Sequence, residues 1–379
     1  MVLSLGRATI LWALLVATYA VGAACGGETA PRSSPSASQR PAAARPGAYV
    51  YALGFENLIL RSANGGVAWR QVHRDALGAD LSVLWSAAFA GPGHGWAVGR
   101  ASVLATTDRG KRWALQYAGS PKMGLFDVAA SDPLHAWAVG RREVKRGGAH
   151  THVAVILSTS DGGASWRLRS LPQLASLRGV AFADARHGWA VGVDKYELYG
   201  VVLATDDGGA HWREQARYKW ASLQDVACAG ASRVWVVGGP NQYPVSTLDP
   251  TPPVILASTD GGAHWEVQVS ADEVTDSNLT GVDFVDSQHG WAIGGGGRGF
   301  VLATSDGGHT WSAQPTGAPK LNGLLKYDSV SFSDARQGWI IANHTALLTT
   351  SDGGTTWQAV TLPETARMLT GLYAFGPGG

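Results

Sequence analysis

The sequence predicts an all-β fold, a seven-bladed β-propeller of four-stranded antiparallel blades, and three observations lead there. An eight-residue phrase, Ser or Thr, then Asp two places on, Gly two beyond that and Trp three beyond the Gly, occurs seven times. Its copies begin at Ser62, Thr106, Thr159, Thr205, Ser258, Thr304 and Thr350, and the spacings of 44, 53, 46, 53, 46 and 46 residues mark a repeat architecture. Each period holds four short segments rich in β-branched and aromatic residues, bounded by Gly, Asp, Ser or Pro, with no helical period between them. The two ends of the repeat region carry complementary fractions of one blade.

Taken in chain order, residues 1–24 contain one basic residue, Arg7, and an apolar run from Ala8 to Ala24, and read as an export signal. The stretch Val21-Gly22-Ala23-Ala24-Cys25 resembles the lipobox of bacterial lipoproteins, which implies a lipidated Cys25 and attachment to the outer face of a bacterial membrane. Ordinary secretion and an uncleaved anchor are the alternatives. Residues 25–47 are small, polar and Pro-rich, unable to bury enough surface to fold, and read as a tether.

The propeller then occupies 48–379. Its sixth copy shows one blade in order: Leu279–Phe284, Gly290–Gly294, Gly299–Thr304 and Trp311–Gln314. Second strands are marked by Trp96, Trp137, Trp189, Trp235, Trp291 and Trp339, with Tyr49–Gly54 as a degenerate seventh. That N-terminal piece lacks a first strand, and Leu369–Phe375 supplies one at the other end. Their pairing closes the ring and removes the exposed sheet edges of an open array.

The repeated phrase falls between the third and fourth strands and reads as a hairpin turn. Its Asp bonds downstream backbone N–H groups, its Gly takes positive φ, and its Ser or Thr hydroxyl ties the turn together. Trp69, Trp113, Trp166, Trp212, Trp265, Trp311 and Trp357 then begin the outer strands and are expected to pack between blades. Asp108, Asp161, Asp207, Asp260, Asp306 and Asp352 are dispersed by the symmetry of the ring, and the first copy has Asn64. A catalytic site needs one asymmetric constellation, so these residues read as structural.

Net charge is +1 and 16% of residues are charged, so no global field points to nucleic acid. His94, His135, His187, His289, His211, His264 and His309 recur with the repeat, which leaves His73, His150, His152 and His344 as individual candidates. His150-Thr151-His152 offers two imidazoles without a convincing third ligand, so neither a metal nor a cofactor is expected. Cys228 stands where sister repeats carry Phe and reads as an apolar filler.

The phrase is the Asp-box, or bacterial neuraminidase repeat, of sialidases, xyloglucanases and sortilins, which says little of activity. Its pairing with Gly-Trp-Ala-Val-Gly is more specific. Gly95–Gly99 followed by Val103–Asp108, and Gly290–Gly294 followed by Val301–Gly308, resemble the photosystem II stability and assembly factor family over residues 48–379. The resemblance implies a seven-bladed, non-enzymatic propeller, lumenal or periplasmic, that binds newly made photosystem subunits. The arginine cluster of that family cannot be placed here residue by residue, and several loops between second and third strands are enlarged.

One face of the disc carries the first-to-second and third-to-fourth turns, which are nearly uniform; the other carries the variable loops. On the variable face Arg141–His152 is basic, Asp194–Gly200 holds Tyr196, Glu197 and Tyr199, Pro240–Pro253 holds Tyr243 and Asp249, and a crossover runs Arg213–Trp220. Irregular loops on a rigid scaffold are where binding is expected. Arg141, Arg142, Lys145, Arg146, Tyr196, Tyr199, Arg217, Tyr218 and Trp220 are the expected contact residues for a protein partner, such as a membrane protein complex, or an anionic glycan. The protein itself is expected to be a monomer. The enzymatic alternative, a glycoside hydrolase, would draw two facing carboxylates from Glu143, Glu197, Asp249, Glu273 and Asp276.

Overall fold

The computed structural model describes residues 47–379 except 75–81, 92, 241–252, 271–277, 296–298, 319–324, 365, 367 and 377–379. The export signal, Cys25 and nearly all of the tether therefore lie outside the described residues, as do Tyr243, Asp249, Asp272, Glu273 and Asp276. No helix among the described residues is long and apolar enough to cross a membrane.

The described chain forms seven four-stranded antiparallel sheets. From blade 1 to blade 7 the inner strands are Leu369–Phe375, Leu84–Ala90, Met123–Ala130, Leu174–Phe182, Ala221–Ala229, Leu279–Phe284 and Tyr327–Phe332. The closure expected from the chain ends is present: Leu369–Phe375 pairs antiparallel with Tyr49–Gly54, with Tyr49 opposite Phe375 and Leu53 opposite Gly371. Seven clusters of buried apolar side chains follow, one at each blade junction, so the core is circular and each blade borrows half of it from a neighbour.

The second strands supply the deepest contacts. Trp137 lies 3.5 Å from Phe182 of the next blade with 5° between the rings, and Trp235–Phe284 and Trp291–Phe332 repeat the stack at 3.6 and 3.5 Å. The indole N–H of Trp137, Trp189, Trp235 and Trp291 crosses the same junctions to the carbonyls of Gly208, Gly261, Gly307 and Gly353. The Asp-box tryptophans pack between blades as expected, each in or against one of the junction clusters, but less deeply than the second-strand tryptophans. Trp212, Trp311 and Trp357 meet the inner-strand phenyl edge-on at 5.9 Å, and of the box tryptophans only Trp113 is buried. An outer strand has one flank in solvent, whereas a second strand is covered on both sides.

Each Asp-box closes on local hydrogen bonds. In blade 4 the Thr205 hydroxyl donates to Asp207 at 2.9 Å and accepts the Gly209 N–H at 2.9 Å. Asn64, Asp108, Asp161, Asp207, Asp260, Asp306 and Asp352 each accept a backbone N–H four residues on, at 2.8–2.9 Å. The box then docks on the inner-to-second turn of its own blade, as where Gly208 N–H meets the Arg186 carbonyl at 3.0 Å. In those turns Asp132, Asp184 and Asp286 hold the rings of His135, His187 and His289, and in the boxes Asp207 and Asp260 hold those of His211 and His264, which accounts for five of the seven recurring histidines.

Candidate functional site

The variable face is most elaborated at blades 3 and 4. In blade 3 the second and third strands, Ala136–Arg146 and Ala149–Thr159, are each 11 residues long, against 5 residues for the second strand in blades 6 and 7. Pairing runs unbroken from Thr159 opposite Ala136 to Ala149 opposite Arg146. Gly147 and Gly148 turn the chain at φ 56° and 85°, the positive values a two-residue hairpin turn requires. The segment Arg141–His152, expected as an irregular loop, is therefore a regular hairpin that projects its charges from paired strands. Twin glycines between stretches with alternating Val and His were the signal for this.

At the base of the hairpin stands an aromatic and cationic cluster beside the central channel. Arg141 lies 5.7 Å and Arg178 5.0 Å from the centroid of Phe126, whose edge meets Trp85 at 5.4 Å. Arg178 comes from the inner strand of blade 4, and burial, then the nearby Arg141, pulls its guanidinium below the usual range. The same two influences lower His152, burial first. The Nε atoms of Arg142 and Arg178 are buried without a hydrogen-bond partner. Two positive groups share one ring here without a neutralising carboxylate in ion-pair range among the described residues.

Arg178, Phe126 and Trp85 escaped the loop-based reading because they sit on inner strands. Aligning those strands reveals them: the place held by Gln224, Thr280, Asp328 and Thr370 in other blades carries Trp85, Phe126 and Arg178 in blades 2, 3 and 4.

Farther up the hairpin, Glu143 receives Lys122 Nζ at 2.5 Å and the His150 ring. Those hydrogen bonds, Lys122 first, hold its carboxyl at about 2. Lys145 is exposed opposite His150, and Arg146 ends the strand.

On blade 4, buried Asp194 accepts the N–H groups of Leu198 and Tyr199 at 2.8 and 3.1 Å and thereby shapes the turn that presents Tyr196, 63% exposed. Lys195 covers the Tyr196 ring at 4.6 Å, Arg217 covers Tyr199 at 5.2 Å, and Lys219 covers Trp220 at 4.8 Å. The expected crossover Arg213–Trp220 is corrected as well: Arg213–Lys219 is the outer strand of blade 4, and Trp220, at φ 60°, makes the turn into blade 5. Two of the expected contact residues have partners within the protein, Arg217 at the surface and Tyr218 in the core. Arg217 holds Glu214 through two hydrogen bonds of 2.8 Å, and Tyr218 packs on the core between blades 4 and 5, where burial raises its phenol.

The arrangement suits recognition more than hydrolysis. A glycosidase general acid needs a carboxyl held above its usual range, and Glu143 is held far below it. Raised carboxyls do occur, at Asp127, Asp225 and Asp283 on the inner strands, yet each accepts a backbone N–H from another blade, of Val180, Val282 and Phe332 respectively. His150 is bound to Glu143, His344 bonds the Leu369 carbonyl at 3.0 Å, and among the described residues no group of three or more His, Cys, Asp or Glu is placed to hold a metal. Cys228 is half-buried against the junction of blades 4 and 5, and burial pushes its thiol up to about 12.

A family model described as photosynthesis system II assembly factor YCF48 matches residues 164–273 and 269–368, which together run over more than half of the chain. No curated protein sequence matches significantly. Among solved structures, YCF48 from Cyanidioschyzon merolae superposes with a TM-score of 0.53 at 20% identity, covering 80% of this chain and 90% of that one. A structure of YCF48 bound to a D1 peptide has a TM-score of 0.50 at 20% identity, covering 73% and 81%. The GH74 xyloglucanase from Xanthomonas campestris scores 0.56 at 15% identity, with 77% of this chain against 46% of that one. At such identities the superpositions speak for the fold alone. The family match rests on the repeated strands and turns of blades 4 to 7, and by it this chain belongs to the photosynthesis system II assembly factor YCF48 family.

Proposed function

We propose that this protein is a non-enzymatic binding scaffold that captures a protein partner, in the manner of an assembly factor, through the variable face over blades 3 and 4. The observation that carries this reading is the pair Arg141 and Arg178, which share the Phe126 ring beside Trp85 without a carboxylate in ion-pair range among the described residues, with Arg142 next in the strand and likewise without an ion pair among them. Paired aromatic rings and unneutralised arginines are the composition of an interface core. A partner segment bearing carboxylates would neutralise the arginines and cover the rings together. Support also comes from the family, one of whose structures holds a D1 peptide.

The export signal and Cys25 fit a tether to the outer face of a membrane, which would keep the propeller near membrane-protein partners. The carbohydrate reading draws on the likeness to a GH74 propeller. It is disfavoured because cations already occupy faces of Tyr196, Tyr199 and Trp220 that would otherwise stack on a sugar ring.

The test is capture from solubilised membranes of the source organism by the full chain and by Arg141→Glu/Arg142→Glu. The expected result is one defined protein complex, bound at least about tenfold more weakly by the variant, given the strength of charge-assisted contacts. Equal capture by both proteins, or enrichment of polysaccharide in place of protein, would overturn the reading.

A further inference from the structure

On the opposite face of the disc, the junctions between blades are not equivalent. In blades 2, 4, 5 and 6 the outer strand carries a glutamine three residues after the box Trp, and Gln116, Gln215 and Gln268, in blades 2, 4 and 5, reach across the junction. Each donates through Nε2 to the first box glycine carbonyl of the next blade, Gly162, Gly261 and Gly307, at 3.0, 3.0 and 3.5 Å. The amide also fills the space above the second box glycine: a Cβ at Gly163, Gly262 or Gly308 would lie 1.8–2.1 Å from the glutamine Oε1. At two of these junctions the amide oxygen is an acceptor, taking Trp96 Nε1 at 3.1 Å in one and Trp311 Nε1 at 3.2 Å in the other.

In blade 3 the corresponding residue is Arg169, and the junction with blade 4 is open. A groove of about 350 Å³ lies there, lined by Arg167, Arg169, Ser158, Ser165, Trp166 and the box of blade 4. Arg169 is half-buried, Arg167 is exposed, and neither guanidinium has an ion pair or hydrogen bond among the described residues. The indole N–H groups of Trp166 and Trp212 are buried without acceptors. Trp212 occupies the place of Trp311, whose N–H the glutamine oxygen satisfies at the junction of blades 5 and 6. The one carboxylate on the wall, Asp207, is already engaged by Thr205, by the His211 N–H and by the His211 ring.

The groove thus presents donors where its sister junctions present an acceptor, and we propose that it is a binding site for an oxyanion-bearing small ligand, a carboxylate or a phosphate or sulfate ester. Arg169 grips the anion from the floor, Arg167 from the rim, and the Ser158 hydroxyl binds a remaining oxygen. The volume is that of a small-molecule pocket, and guanidinium groups match carboxylate and phosphate geometry in paired hydrogen bonds. The site is separate from the partner-binding face and does not depend on that reading.

Titration calorimetry of the full chain at fixed ionic strength, with glucuronate, inorganic phosphate and sulfate as probes, tests the proposal and separates the sources of the anion. One saturable site is expected for at least one probe. Arg169→Gln installs the residue that closes three sister junctions, so it should fold normally and weaken binding at least about tenfold. If that variant melts abnormally, Arg167→Gln at the exposed rim serves instead, with binding weakened about threefold or more. Arg141→Glu, on the other face, should bind as the parent does. Absence of saturable binding by every probe would overturn the proposal, as would unchanged affinity in the folded Arg169→Gln or Arg167→Gln protein, or a loss seen in Arg141→Glu alone.

Discussion

The hydroxyl that opens each Asp-box is the atom on which the turn closes. In blade 3 the buried Thr159 Oγ1 donates to Asp161 at 2.8 Å and accepts the Gly163 N–H at 2.9 Å. Thr159→Val keeps the shape and strands that N–H in the interior. A loss of about 1–3 kcal/mol is expected, read as a lower urea midpoint at unchanged slope; an unchanged midpoint would mean that water replaces the hydroxyl. Residues of this kind were legible in the sequence because their partners lie within four positions. Arg178 was not, because Phe126 and Arg141 reach it from another blade. Arg217 carried the right chemistry for an interface, but its neighbour Glu214 on the same strand holds it.

Among the elements, the strand Leu369–Phe375 has the greatest reach, since its pairing joins the two ends of the described chain. Leu369, Leu372, Ala374 and Phe375 are buried, and the Tyr373 hydroxyl bonds the Phe89 carbonyl of blade 2 at 3.2 Å. Deleting residues 364–379 removes the inner strand of blade 1 and exposes the edge of Tyr49–Gly54. Loss of the single cooperative melting transition, with concentration-dependent aggregation, is the expected outcome; one sharp transition at the parent temperature would show that closure is dispensable. The hairpin of blade 3 was legible as a charged insertion. That it is a regular pair of strands was not, because alternating charge on an extended hairpin resembles a solvated loop until its pairing is seen.

The whole ring is held at its centre by carboxylates as well as by apolar contact. Asp127 accepts the Ser86 hydroxyl at 2.6 Å and the Val180 N–H at 2.8 Å, tying blade 3 to blades 2 and 4. Asp225 and Asp283 tie blade 5 to 6 and blade 6 to 7. Burial raises all three, with repulsion from Asp127 adding to the rise at Asp225, and Asp283 reaches about 6. A carboxyl raised in the folded state contributes stability that is complete below its unfolded value and is lost as pH rises through the folded one. The turn carboxylates behave oppositely. Hydrogen bonds led by Ser165 and Thr310 hold Asp161 and Asp306 at about 2, so their contribution is present above the unfolded value and is lost as pH falls through about 2. Maximum stability is therefore expected near pH 4, where the turn carboxylates are ionised and the inner-strand carboxyls still hold their protons. Asp283→Asn, which retains an acceptor for Phe332, should flatten the decline between about pH 4 and 7; the shift of Asp283 sets an upper value of about 3 kcal/mol, reduced by the solvent these carboxylates still meet along the channel. A parent protein equally stable at pH 4 and 7 in urea titrations would contradict this role. By itself the sequence determined the repeat, the blade count, the ring closure and the form of every Asp-box, because period, strand pattern and turn chemistry are local properties. Only the tertiary structure decided which cations lack partners, which tryptophans lie deepest at the junctions, and which junction is left open at Arg169. Those outcomes depend on side chains of neighbouring blades, many tens of residues apart in sequence, meeting within a few ångströms.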